Sequence, residues 1–270
     1  MDLWITTLLK KLIVESIRFD QVSLSYIKDQ PLLTNVSFTI PENSFVLIIG
    51  PTGSGKSTLM RLIKGIIPYL LSESIEGNII INGQIKDNNN FFEQGLNIGY
   101  LLQDFDLQFI GSNVENELVF GLENMGIPKD DMNMRLDWFF QQFPSLIDLK
   151  FREPQTLSGG ELAKVEFISS VITDPSIILL DEPLENLDKS SRDEFFTTLK
   201  HFKNKKTIVV CTHEIEPYLE LADKIIVLNN SSHSVTEYDS IKEFFLNISK
   251  YSWLNISKIA IDYYNRRIQS

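Results

Sequence analysis

The 270-residue chain has one cysteine, Cys211, which excludes an internal disulfide and any fold stapled by cross-links. A lone thiol fits a reducing compartment. Positive charge is also scarce: 25 basic residues stand against 36 acidic ones, a net charge of −11. That balance argues against a chain that grips nucleic acid or anionic lipid through overall charge, although it leaves room for a local phosphate pocket. No nucleic-acid partner is expected. Long apolar runs are missing, and none approaches the roughly 18–20 residues of a membrane span. The first stretch, Met1 to Val14, is apolar, but Asp2 stands where a signal peptide carries cations and Lys10-Lys11 interrupts it. A soluble intracellular protein is the expectation. Internal repeats and extended low-complexity tracts are lacking as well. What remains is 43% hydrophobic, an ordinary globular chain long enough to bury a substantial core in one large or two small domains.

Residues 13–49 read as β structure. Ile17, Phe19, Val22, Leu24 and Tyr26 alternate loosely, Val36, Phe38 and Ile40 strictly, and Val46 to Ile49 form a continuous apolar run. Alternation predicts strands with one wet face, and a short continuous run predicts a strand buried on both faces. From Lys56 to Lys64 the apolar spacing turns helical, with Gly65 and Pro68 marking its end. Residues 73–100 read as short strands and turns, with Asn82-Gly83 as a hairpin signal and Lys86 to Asn90 as a polar loop. Val114 to Leu149 is mostly helical, broken at Pro128 and Pro144. Ile177–Leu180, Ile208–Cys211 and Ile225–Leu228 then predict further strands separated by helical stretches. Strands alternating with helices imply an α/β fold with right-handed crossovers and a mainly parallel sheet. The helical stretch reads as an insertion into that core. In the tail, Ile241, Phe244, Phe245 and Ile248 follow helical spacing, and their stripe suits docking on the chain's own core or on a second subunit.

Gly50-Pro51-Thr52-Gly53-Ser54-Gly55-Lys56-Ser57 fits G-x-x-x-x-G-K-[ST] between a buried strand and a helix, the context a phosphate loop requires. Glycines let successive amides turn inward to form an anion nest at the positive end of the helix. Lys56 would reach the β- and γ-phosphates, and the Ser57 hydroxyl would coordinate Mg²⁺. Ile177 to Asp181 is an apolar strand ending in a carboxylate. Asp181 is placed to hold Mg²⁺, and Glu182 to polarise a water for attack on the γ-phosphate. Taken alone, this acidic pair would read as a helix start. The phosphate loop upstream favours the catalytic reading.

Leu157-Ser158-Gly159-Gly160-Glu161 resembles the signature of ATP-binding-cassette (ABC) ATPases, and it precedes Asp181 as it does in that family. The resemblance spans about residues 13–235, followed by a helical tail over 236–270. It implies a RecA-like P-loop NTPase core, an antiparallel β subdomain and an inserted α-helical subdomain at about 104–160. It also implies that ATP is held by Gly50 to Thr58, with Tyr26 stacking on adenine, and that the signature meets the ATP of a partner subunit. Gln103 resembles the glutamine-loop residue that touches Mg²⁺ and water. Glu185-Asn186-Leu187-Asp188 resembles the D-loop, with Asp188 across a dimer interface, and His213 resembles the switch histidine. The sequence departs from the usual pattern at Glu161 (commonly Gln), Lys164 (commonly Arg), Leu184 and Asn186. None of these removes a catalytic group.

Asp106-Leu107-Gln108-Phe109 and Val114-Glu115-Asn116-Glu117-Leu118-Val119-Phe120-Gly121-Leu122-Glu123-Asn124 look like the ATPases of energy-coupling-factor (ECF) importers. In those proteins this region receives a membrane partner's coupling helices. The resemblance implies an ATPase at the cytoplasmic membrane face that is paired with a second, identical or paralogous, ABC subunit. Its other partners would be a transmembrane coupling protein and a substrate-binding membrane component, and the cargo a vitamin or a transition-metal ion. Another ABC transporter class and a soluble, non-transport ABC ATPase are the alternatives.

Overall fold

The computed structural model describes residues 14–27, 30–67, 75–87, 89–102, 110–185 and 187–269. They fall into two compact units, one within Met1–Leu96 and Lys203–Ser270 and the other within Asn97–Phe202.

The first unit opens with strands β1 (Glu15–Leu24) and β2 (Leu33–Pro41), followed by β3 (Phe45–Ile49), and after helix α1 (Lys56–Lys64) come β4 (Ile75–Ile81) and β5 (Gln84–Ile85). All but β3 form an antiparallel sheet in the order β2-β1-β4-β5. The loose alternation of β1 has a local cause. Its buried apolar residues step by two from Ile17 to Phe19, by three to Val22, and by two again to Leu24, and the ladder shifts register between Phe19 and Val22. Gln21 sits there at φ 53°, a bulge that returns the apolar side chains to the core face. Gly77 (φ +84°) lies opposite on β4, where a Cβ would stand 2.3 Å from the Gln21 carbonyl.

A second set of strands in this unit comprises β3, β8 (Thr207–Cys211), β9 (Lys224–Asn229) and β10 (Ser234–Tyr238). β3 pairs in parallel with both β8 and β9, and β10 closes the edge antiparallel to β9. Every residue of β3 and β8 is buried, as a strand covered on both faces must be. The short helix α2 (Phe91–Leu96) replaces part of the strand-and-turn stretch expected before residue 100. Asp87 starts it by accepting from the amides of Asn89 and Asn90, a turn built from a polar cluster.

The second unit carries β6 (Ile98–Leu101), α3 (Val114–Asn124), α4 (Lys129–Gln142), α5 (Gly159–Val171), β7 (Ile177–Asp181) and α6 (Lys189–Phe202). β6 and β7 pair in parallel. Gly99 is needed in β6 because a Cβ there would lie 2.1 Å from the Ser170 carbonyl of α5. Pro128 and Pro144 mark the helix breaks that the sequence predicts.

The tail belongs to the first unit and forms α7 (Ile241–Leu246) and α8 (Lys258–Gln269). Phe244 packs edge-on against Tyr238 and stacks on Tyr251, whose hydroxyl lies 2.7 Å from that of Tyr238 in a hydrogen bond. The tail's first helix thus docks on its own core. Among the described residues no helix is long and apolar enough to cross a membrane.

Candidate functional site

In the first unit, β3 delivers the chain to Gly50, where a Cβ would lie 2.5 Å from Ser54 Oγ and 3.1 Å from the Leu228 carbonyl of β9. The loop then turns through Gly53 (φ +78°) and Gly55 (φ +98°), both in the left-handed region that glycine enters without penalty. Gly55 caps α1 with no side chain on the first-turn amides, and no acid stands in that turn. The helix start is therefore suited to an anion from outside the chain. Lys56 Nζ donates to the carbonyls of Gly50 (2.9 Å) and Pro51 (3.4 Å), so the ammonium lies across the loop. Tyr26 is 41% exposed, and its hydroxyl bonds with Thr58 Oγ1 of α1 at 3.2 Å. The predicted adenine-side aromatic and the phosphate loop are thus joined. His213 follows β8, whose carboxyl end lies beside that of β3, and the amide of the intervening Thr212 donates to the Ile48 carbonyl. Carboxyl ends of adjacent parallel strands are where such sheets bind ligands.

In the second unit, β7 ends at Asp181, a carboxylate only 2% exposed. Glu182 follows at φ 49°, strained for a residue with a side chain, and such strain marks positions that the surrounding structure holds in place. Ser158 caps α5 in a capping box: it accepts from the Glu161 amide, and Glu161 Oε2 accepts from the Ser158 amide at 2.7 Å. Those bonds from Ser158, its amide first, hold the Glu161 carboxyl below its usual range. Glutamate at this position therefore still makes the cap. Ser158 and Gly159 are exposed at the helix start, where a Cβ on Gly159 would meet open space. Asp188 accepts from the Ser191 amide (2.8 Å) and from Ser190 Oγ (2.9 Å), which pulls its carboxyl down to about 2 and starts α6. Lys164 ties α5 to α6 through Glu194 (2.8 Å) and also donates to Ser145 Oγ (2.7 Å). Gln103, Asp106 to Phe109 and Asn186 lie outside the described residues.

The family described as ABC transporter matches residues 33–185, more than half of the chain. The chain belongs to the ABC transporter family. Among its relatives, the energy-coupling factor transporter ATP-binding protein EcfA1 of Streptococcus agalactiae is 38% identical over 200 residues, 73% of this chain and 69% of that protein. The energy-coupling factor transporter ATP-binding protein EcfA of Enterococcus faecium is 37% identical over 216 residues, 78% of this chain and 75% of that one. A dimeric bacterial ABC transporter cassette superposes with a TM-score of 0.72 at 25% identity, covering 83% of this chain and 98% of that one. The fold is shared too by cbiO1 from Clostridium perfringens (TM-score 0.71, 22% identity, 88% and 96% covered), part of the ABC transporter complex cbiONQ. This ABC ATPase thus has a P-loop NTPase core and is an ATP-hydrolysing subunit of the energy-coupling-factor type.

Sequence reasoning missed several side chains of this ABC ATPase. Lys164 appears in it only as a departure from Arg, and the cap that Asp188 makes was visible in Asp188-Lys189-Ser190-Ser191, an N-cap followed by a helical run. The inward turn of Glu117 and the burial of the Glu166 Oε1 carried no such local signal.

Proposed function

We propose that this chain powers an importer for a vitamin or a transition-metal ion as a peripheral subunit on the cytoplasmic face of the membrane. It pairs there with a second ABC ATPase, a transmembrane coupling protein and a substrate-binding membrane component. The likeness to EcfA1 over 73% of the chain carries this reading. The exposed apolar side chain of Phe120 on α3 supports it, since a coupling helix needs an apolar landing surface.

In this reading the amides of Gly53 to Ser57 and the Lys56 ammonium bind the β- and γ-phosphates, Thr58 closes the loop, and Tyr26 stacks on adenine. Ser57, Gln103 and Asp181 offer hydroxyl, amide and carboxylate oxygens, the hard donors that suit Mg²⁺. When bound, the ion offsets negative charge on the phosphoryl oxygens. Glu182 takes a proton from the attacking water as its oxygen bonds to the γ-phosphorus and the bridging P–O bond to ADP breaks. His213 orients that water. Leu157 to Glu161 present the start of α5 to ATP held by the partner subunit, and Asp188 faces the same interface.

Glu182→Gln is expected to bind ATP while losing at least about 100-fold in turnover, and Lys56→Ala to lose ATP binding. Affinity purification from detergent-solubilised native membranes should recover a membrane scaffold, a second cassette and a substrate-binding membrane protein. Recovery from the soluble fraction alone, or full turnover by Glu182→Gln, would overturn the proposal.

A further inference from the structure

Three acids stand on α3: Glu115, Glu117 and Glu123. Read from sequence they suit a partner with basic ends, but the structure separates them. Glu123 is exposed, and Glu115 is paired with Lys150 at 2.8 Å. Glu117 turns inward and is 9% exposed. Its Oε2 accepts from two consecutive backbone amides, Ile110 (2.9 Å) and Gly111 (2.7 Å). Gly111 lies so close to the helix that a Cβ would stand 2.3 Å from the Glu117 nitrogen and 2.6 Å from its Cα. Asn113 caps the same turn by accepting from the Asn116 amide, and Ser112 Oγ accepts from Asn116 Nδ2. Residues 110–113 therefore fold back over the helix they begin, and one carboxylate oxygen closes that fold. A carboxylate near a helix start also meets the positive end of the helix dipole. The Ile110 side chain, whose backbone is held this way, is 68% exposed, so the clamp presents an apolar group outward.

We propose that Glu117 is a positioning residue for coupled ATP hydrolysis, acting as an internal clamp on the chain entering α3 and not as an ion-pair partner for another subunit. The inference rests on the ABC ATPase reading, because the stretch that enters α3 begins at Gln103 in sequence. A clamp needs an acceptor oxygen, whereas an ion pair needs a charge, and glutamine separates the two.

The test uses the full chain. Peptide-resolved hydrogen exchange should show the amides of Ile110 and Gly111 protected in the wild type and in Glu117→Gln, and exchanging at least about tenfold faster in Glu117→Ala. Turnover should follow the same order. Glu117→Ala and Gly111→Ala are expected to lose about fivefold or more in kcat with KM for ATP within about twofold, and Glu117→Gln to stay within about twofold of wild type. Unchanged protection in Glu117→Ala would overturn the clamp. So would a kcat loss in Glu117→Gln equal to that in Glu117→Ala with protection retained. If the wild type, assayed in the complex purified from native membranes, hydrolysed no ATP, the function reading would fail while the exchange measurements still decided the clamp.

Discussion

Glu166, on α5, carries a carboxyl that folding disfavours in its charged form. Its Oε1 is buried and has no hydrogen-bond partner among the described residues. Burial first, and then the negative charge of Glu117, raise its pKa from 4.5 to about 7. Between those two values the folded chain holds a proton that the unfolded chain releases. The contribution of Glu166 to stability is therefore greatest below pH 4.5 and is lost as the pH rises to about 7. At about 1.4 kcal/mol per pH unit, the rise from 4.5 to about 7 corresponds to about 3 kcal/mol. The carboxyl is only partly buried, and solvent screening brings the expected cost of its charge to about 1–2 kcal/mol. Glu166→Gln keeps the shape and removes the charge. It should be neutral within about 0.5 kcal/mol at pH 4.5 and stabilising by about 1–2 kcal/mol at pH 8. Urea unfolding of both proteins in half-unit steps from pH 4.5 to 8 reads the difference, which cancels the titrating groups that do not act on Glu166. A difference that is flat with pH, or a Gln variant less stable than wild type at pH 8, would refute the reasoning.

Lys164 is nearly buried and paired with Glu194, so Lys164→Met strands a half-buried carboxylate and should cost about 2–4 kcal/mol in urea unfolding, while Lys164→Arg should recover most of it. Lys86 is buried, donates to the Ile63 carbonyl at 2.8 Å, and is lowered to about 8 by burial and then by the charge of Lys64. The unfolded chain keeps that proton up to about 10.5, so stability should rise from pH 8 toward 10, and thermal melts of Lys86→Met should show a shallower rise over the same range.

Much of the fold was legible because glycine punctuates it. Helix α1 begins and ends as the spacing predicts, since Gly55 and Gly65 both take left-handed φ at its two ends. The continuous apolar runs became the buried parallel strands for the same reason that they are continuous, with neighbours on both faces. The elements that escaped notice have weak hydrophobic signatures. Helix α2 buries only Gln94, and β10 is an edge strand in which only Tyr238 is fully buried. Lys86, expected in a solvated polar loop, is buried against the end of α1, because a carbonyl there compensates the ammonium and no periodicity announces it.

The same division runs through the site. The phosphate loop, the strand ending at Asp181 and the signature are contiguous stretches whose chemistry is written in consecutive residues. Side chains whose partners lie far along the chain leave no such trace, as with Lys164 and Glu194, 30 residues apart, or the backbone strain at Glu182. The acids of α3 show why this matters for function. As a string, Val114 to Asn124 presents three equivalent negative charges. As a helix it presents one exposed acid, one acid neutralised by Lys150, and one closing on its own backbone. In the proposed complex, a membrane partner that approached α3 would meet its single exposed acid, Glu123, beside the apolar side chain of Phe120. Substitutions at Glu123 should change how tightly that partner binds, whereas Glu117→Ala, which removes the acceptor oxygen, should lower turnover instead.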